Sequence, residues 1–329
     1  MPTTPRRHRR LIAAELPGPS PVDRCRTVSG RCRAAFQGVT GTDDAELRRR
    51  FEERQAEVTR YGKLWWSHQA EPQRSFLSTR PELQRELRRA FVGGANVILT
   101  RRVYGEAAGW ARERVTLHQE LVEQLVRGAT PGPPAPGDPA YLTIGLPGSG
   151  KTRGLRPMAL AHAGRLESCP VSDADDVRTA LPEYRDGLGS TALQGETEEI
   201  TYGTATYPPG GGLQDQVRYL SGAVVIDMVG GDYVADVVKE FAATGRAVYV
   251  LMTECSPDLC EDRVMRRAVE PGGRYVPLEV VRAKIGVPRA ALEGALATGA
   301  VTGWGVWDTS TWPARLIEGD GTFDEVVLP

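Results

Sequence analysis

The stretch Gly145-Leu146-Pro147-Gly148-Ser149-Gly150-Lys151-Thr152 leaves the chain around it few options. It fits G-x-x-x-x-G-K-[ST], the phosphate-binding loop, and follows the apolar run Tyr141–Ile144. Each position has a physical task. The glycines permit backbone conformations that a Cβ would obstruct, so successive N–H groups can point at one phosphate. The helix expected from Gly150 onward brings its positive dipole end to the same place. Lys151, one of only four lysines in the chain, adds a full charge for the β- and γ-phosphates, and the Thr152 hydroxyl can ligate Mg²⁺. ATP or GTP binding is the expectation, and a plain glycine turn between two elements is the structural alternative.

Such a loop needs a strand before it and a helix after it, and the pattern beyond residue 140 supplies both repeatedly. Strands are expected at Tyr141–Ile144, near Pro170–Ser172, at Ala223–Met228, at Ala247–Met252 and around Val306. Helices are expected at Lys151–Ala163, Asp176–Leu181, Gln194–Ile200, Leu213–Leu220, Tyr233–Thr244, Pro257–Val269, Leu278–Ile285 and Arg289–Thr298. Alternating strand and helix implies an α/β fold, a P-loop NTPase-type parallel sheet with helices on both faces.

Upstream the character differs. Residues 1–40 form a basic tail, Arg6 to Arg33, interrupted by Pro and Gly and without periodicity, which reads as disordered. Residues 41–127 read as a helical N-terminal segment. One helix starts near Asp44 with Leu47, Phe51, Val58 and Trp65 on a stripe. A second starts at Pro81, and a third runs from about Glu106 to Arg127. Residues 128–140 read as a Pro/Gly linker, and 141–329 as the domain built on the phosphate loop.

With 41 basic and 42 acidic residues, the net charge of −1 offers no global attraction for nucleic acid or a membrane. Five cysteines without zinc-type spacing point to neither a disulfide framework nor a metal site. No apolar run approaches the roughly 18 residues that span a bilayer, and no secretory signal opens the chain, so a cytoplasmic location is expected.

Three clusters fall where a parallel sheet puts its ligand, beyond the carboxyl ends of the strands. In Asp173-Ala-Asp175-Asp176, Asp176 reads as a helix cap, while Asp175 is placed to take the proton of a hydroxyl under phosphorylation. Val224-Val-Ile-Asp227 has the shape of a Walker B strand whose acid holds Mg²⁺. Arg263-Val-Met-Arg266-Arg267, continuing to Gly272-Gly-Arg274-Tyr-Val-Pro277, reads either as a solvated face or as a mobile lid carrying guanidinium groups to the transferring phosphoryl.

These features resemble the zeta toxin and zeta-like kinases, whose founding members phosphorylate the 3′-hydroxyl of the sugar in UDP-N-acetylglucosamine. The resemblance covers about residues 115–310. It includes the loop Leu146–Thr152, Asp173-Ala-Asp175 followed by Leu181-Pro-Glu-Tyr184, and Gly187-Leu-Gly-Ser…Leu193-Gln-Gly-Glu196. It also includes Leu117-His118 in the N-terminal extension. The resemblance puts Asp175 at the base position, Arg263 and Arg274 at the two phosphate-binding arginines, and Glu196 in the acceptor pocket beside Asp173. The founding toxins carry a Glu on the helix before the Walker B-like strand. Here only Gln214 or Asp215 could replace it, and Asp227-Met-Val-Gly-Gly stands where an acid, Gly and Thr are usual. The resemblance thus implies an ATP- and Mg²⁺-dependent kinase for a nucleotide-sugar-like hydroxyl acceptor, with an antitoxin or the N-terminal segment as inhibitor. A kinase for an antibiotic, a dinucleotide ribose or an RNA end is the alternative, as is a non-catalytic ATP-binding module.

Overall fold

In the computed structural model, residues 44–69, 100, 104–106, 109–164, 169–203, 207, 208 and 210–324 are described; the account of 62–69 covers backbone only. The expected basic tail and the Pro81 helix lie outside the described residues.

The phosphate loop follows β3 (Pro139–Ile144), the central strand of a six-stranded sheet. Its partners are β4 (Val171–Asp173), β5 (Val224–Met228), β6 (Ala247–Glu254), β7 (Gly303–Asp308) and β8 (Arg315–Gly319), in the order β4-β5-β3-β6-β7-β8. All neighbours run parallel except β8, which returns antiparallel along β7. This edge strand was not apparent in the sequence, because its residues are mostly exposed and carry no apolar alternation.

The apolar strand runs follow from the pleat. Ala140, Leu142 and Ile144 of β3, Val224 and Ile226 of β5, and Val248, Val250 and Met252 of β6 enter one core. Tyr141, Val225 and Leu251, one residue out of phase, enter a second core on the opposite face with Leu155 and Met158. Side chains alternate with period 2, so a strand covered on both faces must be apolar throughout.

Helices cover both faces. The phosphate-loop helix lies on the second core, and α2 (Arg112–Leu125) packs Leu121 and Val122 into the first. The helix expected from Glu106 to Arg127 is therefore shorter. Its first residues form a small antiparallel pairing of β1 (Gly105–Glu106) with β2 (Gly109–Trp110). Gly109 has φ 146°, outside helical space, which accounts for the late start. The 128–140 stretch is tied to the same body: Thr130 bridges to Ser221, and Asp138 accepts from the Gly222 amide.

At the chain's start, α1 (Asp44–Gln69) buries Leu47, Phe51 and Val58 against Ala192, Met265, Ala268 and Tyr275. Phe51 stacks on Tyr275 with ring centroids 5.2 Å apart. All described residues belong to one compact unit, Gly41–Pro329.

Candidate active site

The phosphate loop joins β3 to α3 (Lys151–His162) in the expected place. Its backbone explains two of the glycines. Gly148 has φ 82°, and a Cβ there would stand 2.4 Å from the Cys260 carbonyl. Gly150 caps α3 in the left-handed region at φ 89°. Lys151 Nζ donates to the carbonyls of Gly145 at 2.9 Å and Leu146 at 3.3 Å, so the ammonium lies along the loop.

Strand register assembles the acids. Asp227 pairs with Asp173 on one side and with Thr143 on the other, which brings both carboxylates to one level beside the loop. Thr152 Oγ1 donates to Asp227 Oδ2 at 3.5 Å, and Lys151 Nζ lies 4.0 Å from Asp227. Burial, reinforced by Asp173, pushes the Asp227 carboxyl well above the usual carboxylate range despite Lys151 and Arg156. A carboxylate pressed this way favours an added cation. Thr152 and Asp227 offer the hard oxygens Mg²⁺ prefers and so fit that ion, although no cluster of three acidic, His or Cys ligands occurs among the described residues.

Asp173 carries a different duty from the one expected. It is the N-cap of α4 (Ala174–Ala180), accepting from the Asp175 amide at 2.8 Å, and its other oxygen accepts from Arg156 at 2.7 Å. The cap is therefore Asp173 and not Asp176. Arg156 was not singled out in the sequence. It lies within 3.9 Å of Asp173, Asp176 and Asp227 together, and these acids raise its pKa against the opposing effect of burial.

Asp175, in the first turn of α4, is half-buried, and three arginines converge on it. Arg178 and Arg274 both donate to Oδ1, and Arg267 lies 3.9 Å from Oδ2. Burial alone would raise the Asp175 carboxyl. Arg274, Arg178 and Arg267 outweigh it and hold the group far below the usual range, hence ionised. Arg178 is itself fully buried, and burial together with Arg274 lowers it to about 10, still cationic at neutral pH. Its spacing of three from Asp175 is the one sequence signal that could have found it.

The arginines of α8 (Pro257–Val269) divide by face. Arg263 donates to the Thr309 carbonyl at 2.6 Å and reaches the Gly148 carbonyl at 3.5 Å, over the phosphate loop. Arg266 pairs with Asp262 one turn away, the solvated face that an arginine helix usually presents. The segment 272–277, expected as a mobile lid, is packed. Tyr275 and Val276 are buried, and a Cβ on Gly187 would stand 2.0 Å from the Gly273 carbonyl. Tyr184 also donates to the Gly272 carbonyl at 3.1 Å. This close glycine contact lets Arg274 reach Asp175.

Two residues expected in the acceptor pocket have other engagements. Glu196, on α5 (Gln194–Tyr202), is fully buried. Its oxygens accept from Arg114 Nη2 at 3.0 Å and Arg114 Nε at 2.5 Å, and the latter oxygen also meets His118 Nε2. Glu183 clamps the same Arg114 through two bonds, at 3.0 and 2.8 Å. Glu196 thus faces α2 and not open solvent, and His118 is a buried partner of it. Asp215, on α6 (Leu213–Arg218), accepts from the Gly212 amide and pairs with Arg218. The adjacent Gln214 is buried, with no partner for Oε1 among the described residues.

A family model described as Zeta toxin matches residues 127–293, half of the chain and the whole region from the phosphate loop through Arg274. The chain belongs to the zeta toxin family. Members of this family are phosphotransferases, which fits a phosphate loop facing an acidic cluster. No match was found among curated proteins. Among solved structures, one from the PezAT toxin-antitoxin system of Streptococcus pneumoniae is similar at 13% identity and TM-score 0.44, covering 65% of this chain and 83% of that one. An AvrRxo1-ORF1:AvrRxo1-ORF2 structure with sulphate ions is similar at 16% identity and TM-score 0.44, covering 68% and 76%. At these values the zeta toxin assignment stands on the family match and the site itself. No helix among the described residues is long and apolar enough to cross a membrane.

Proposed function

We propose that this zeta toxin family protein transfers the γ-phosphoryl group of ATP to a hydroxyl of a small, nucleotide-sugar-like acceptor. The observation that carries the reading is Asp175, a carboxylate kept ionised by arginines from three separate segments beside the phosphate loop. Mere nucleotide binding requires neither that carboxylate nor a guanidinium shared with it.

Phosphoryl transfer depends mostly on positioning and charge stabilisation. The loop amides and Lys151 hold the β- and γ-phosphates, and Arg263 lies over the loop from the α8 side. Thr152 and Asp227 would hold Mg²⁺, which neutralises charge on the phosphate oxygens. Arg274 has two uses. It pairs with Asp175; a γ-phosphate would draw it away, and Asp175 would then become more basic as the acceptor arrives. The acceptor oxygen bonds to phosphorus, the bond to the ADP oxygen breaks, and the hydroxyl proton passes to Asp175.

Glu196 and Asp173 serve here as supports: one locks α5 onto α2, the other orders the start of α4. Transfer to another hydroxyl (an antibiotic, a dinucleotide ribose or an RNA end) is the second reading, favoured by Asp215 being occupied within its own helix cap. An antitoxin belongs to the same proposal as inhibitory partner, whereas α1, which rests on α8 and Tyr275 beside the arginines, is read as part of the core that holds them.

The test is incubation of the purified chain with ATP, Mg²⁺ and a metabolite extract, read by mass spectrometry. A metabolite should gain one phosphate with the wild type and not with Asp175→Asn. Identical spectra for the two proteins would overturn the reading.

A further inference from the structure

Asp173, Asp175 and Asp227, with the Arg178 and Arg274 that meet Asp175, lie on one flank of β3, toward β5 and β4. An in-line displacement puts the attacking and leaving oxygens on opposite sides of the phosphorus. The nucleoside end of the donor must therefore leave the loop on the other flank, toward β6 and β7. There the segment after β7 folds back over the start of α3. Thr309 Oγ1 donates to the Ser149 carbonyl at 2.6 Å, its amide donates to the Glu254 carbonyl at 3.0 Å, and its own carbonyl accepts from Arg263. Three residues on, Trp312 rests on the first turn of the phosphate-loop helix, where a Cβ added to Gly154 would stand 3.6 Å from the indole edge. The Arg153 guanidinium lies over the indole ring, 4.9 Å from its centroid.

Trp312 is nevertheless 43% exposed, a large aromatic surface left to solvent beside the loop. A rigidly anchored indole next to an arginine, on the flank where the nucleoside emerges, is a stacking platform for a planar base. We propose that Trp312 and Arg153 form the base-binding site of the donor nucleotide, taking a purine ring on the exposed indole. This inference rests on the donor-nucleotide reading above and adds where the base is held. Bare polyphosphate would use the loop without this platform. A nucleoside triphosphate would use both.

Titration calorimetry of the full chain with Mg²⁺ and either ATP or inorganic tripolyphosphate separates the two contributions. Trp312→Ala should weaken ATP about tenfold or more, the scale of one lost base–aromatic stack, and leave tripolyphosphate affinity unchanged. Trp312→Phe should retain most of the ATP affinity. Unchanged ATP binding by Trp312→Ala overturns the platform. So does equal weakening of both ligands, which would make Trp312 a support of the phosphate loop. A wild-type chain that binds tripolyphosphate as tightly as ATP overturns the platform alone. A wild type that binds neither overturns the donor reading and the platform with it.

Discussion

Arg274 donates to the carboxylate of Asp175, a residue ninety-nine positions earlier in the chain. The two come from segments far apart in the chain, and their contact depends on Gly187 and Gly273 meeting backbone to backbone. This pair neutralises the proposed phosphate-binding arginine and the proposed proton acceptor with each other. Removing either one alone leaves the other without its main partner, so the consequences can be separated by measurement.

Asp175→Asn keeps the side chain's size but cannot take a proton. Its kcat should fall about 10²-fold or more, with ATP affinity nearly unchanged. Turnover within a fewfold of wild type would assign the proton to another group.

Arg274→Ala should lower kcat far more than it weakens ATP, because the guanidinium matters most as charge develops on the transferring group. The depressed pKa of Asp175 should also rise without this partner, so activity should fail at a higher pH on the acid side than in the wild type. Arg267→Ala, at 3.9 Å from Asp175, should be milder on both counts. A kcat/KM pH profile for the three proteins checks this. Coincident acid limbs would separate Arg274 from Asp175 in function.

Lys151→Ala should abolish transfer by removing the charge on the β- and γ-phosphates. Lys151 is largely covered and bonded to loop carbonyls, so a small loss of thermal stability should accompany the loss of activity. A folded Lys151→Ala protein with full turnover would refute the loop's assigned role.

Glu196 is held below its usual pKa, at about 2; burial opposes ionisation, but bonds from His118 and Arg114 prevail. A depressed carboxyl contributes stability that is complete above its unfolded value near 4.5 and is lost as pH falls toward 2. Over that window the contribution is about 3 kcal/mol. Glu196→Gln should therefore be less stable at neutral pH and lose less on acidification. Denaturant melts at pH 7 and pH 3 test it; parallel losses in both proteins would place the acid sensitivity elsewhere.

A fragment of residues 135–329 loses α2, and with it Leu121, Val122 and the Arg114 clamp, as well as α1. It should be insoluble. Phe51→Ala in the full chain should cost about 3 kcal/mol, the scale for truncating a buried phenyl ring. A soluble and more active 135–329 fragment would instead show the upstream helices to be inhibitory.

The phosphate loop, the strand-end Asp227 and the alternation of strand and helix beyond residue 140 were legible in the residues themselves. Each depends on short-range chemistry: glycines at fixed offsets, an apolar run ending in an acid, periods of 2 and 3.6. Other relationships were decided by the tertiary structure. The order β4-β5-β3 sets Asp173 beside Asp227. The packing of α2 turns Glu196 inward to Arg114 across eighty-two positions, and makes His118 a core residue. The glycine contact between 187 and 273 delivers Arg274 to Asp175 while Arg266, eight residues earlier, stays at the surface. A carboxylate on its own stretch of chain is equally suited to capping a helix, holding a cation or accepting a proton. Which of these it does depends on the charge that strand order and helix packing bring within about 4 Å of it, and local sequence does not encode that distance.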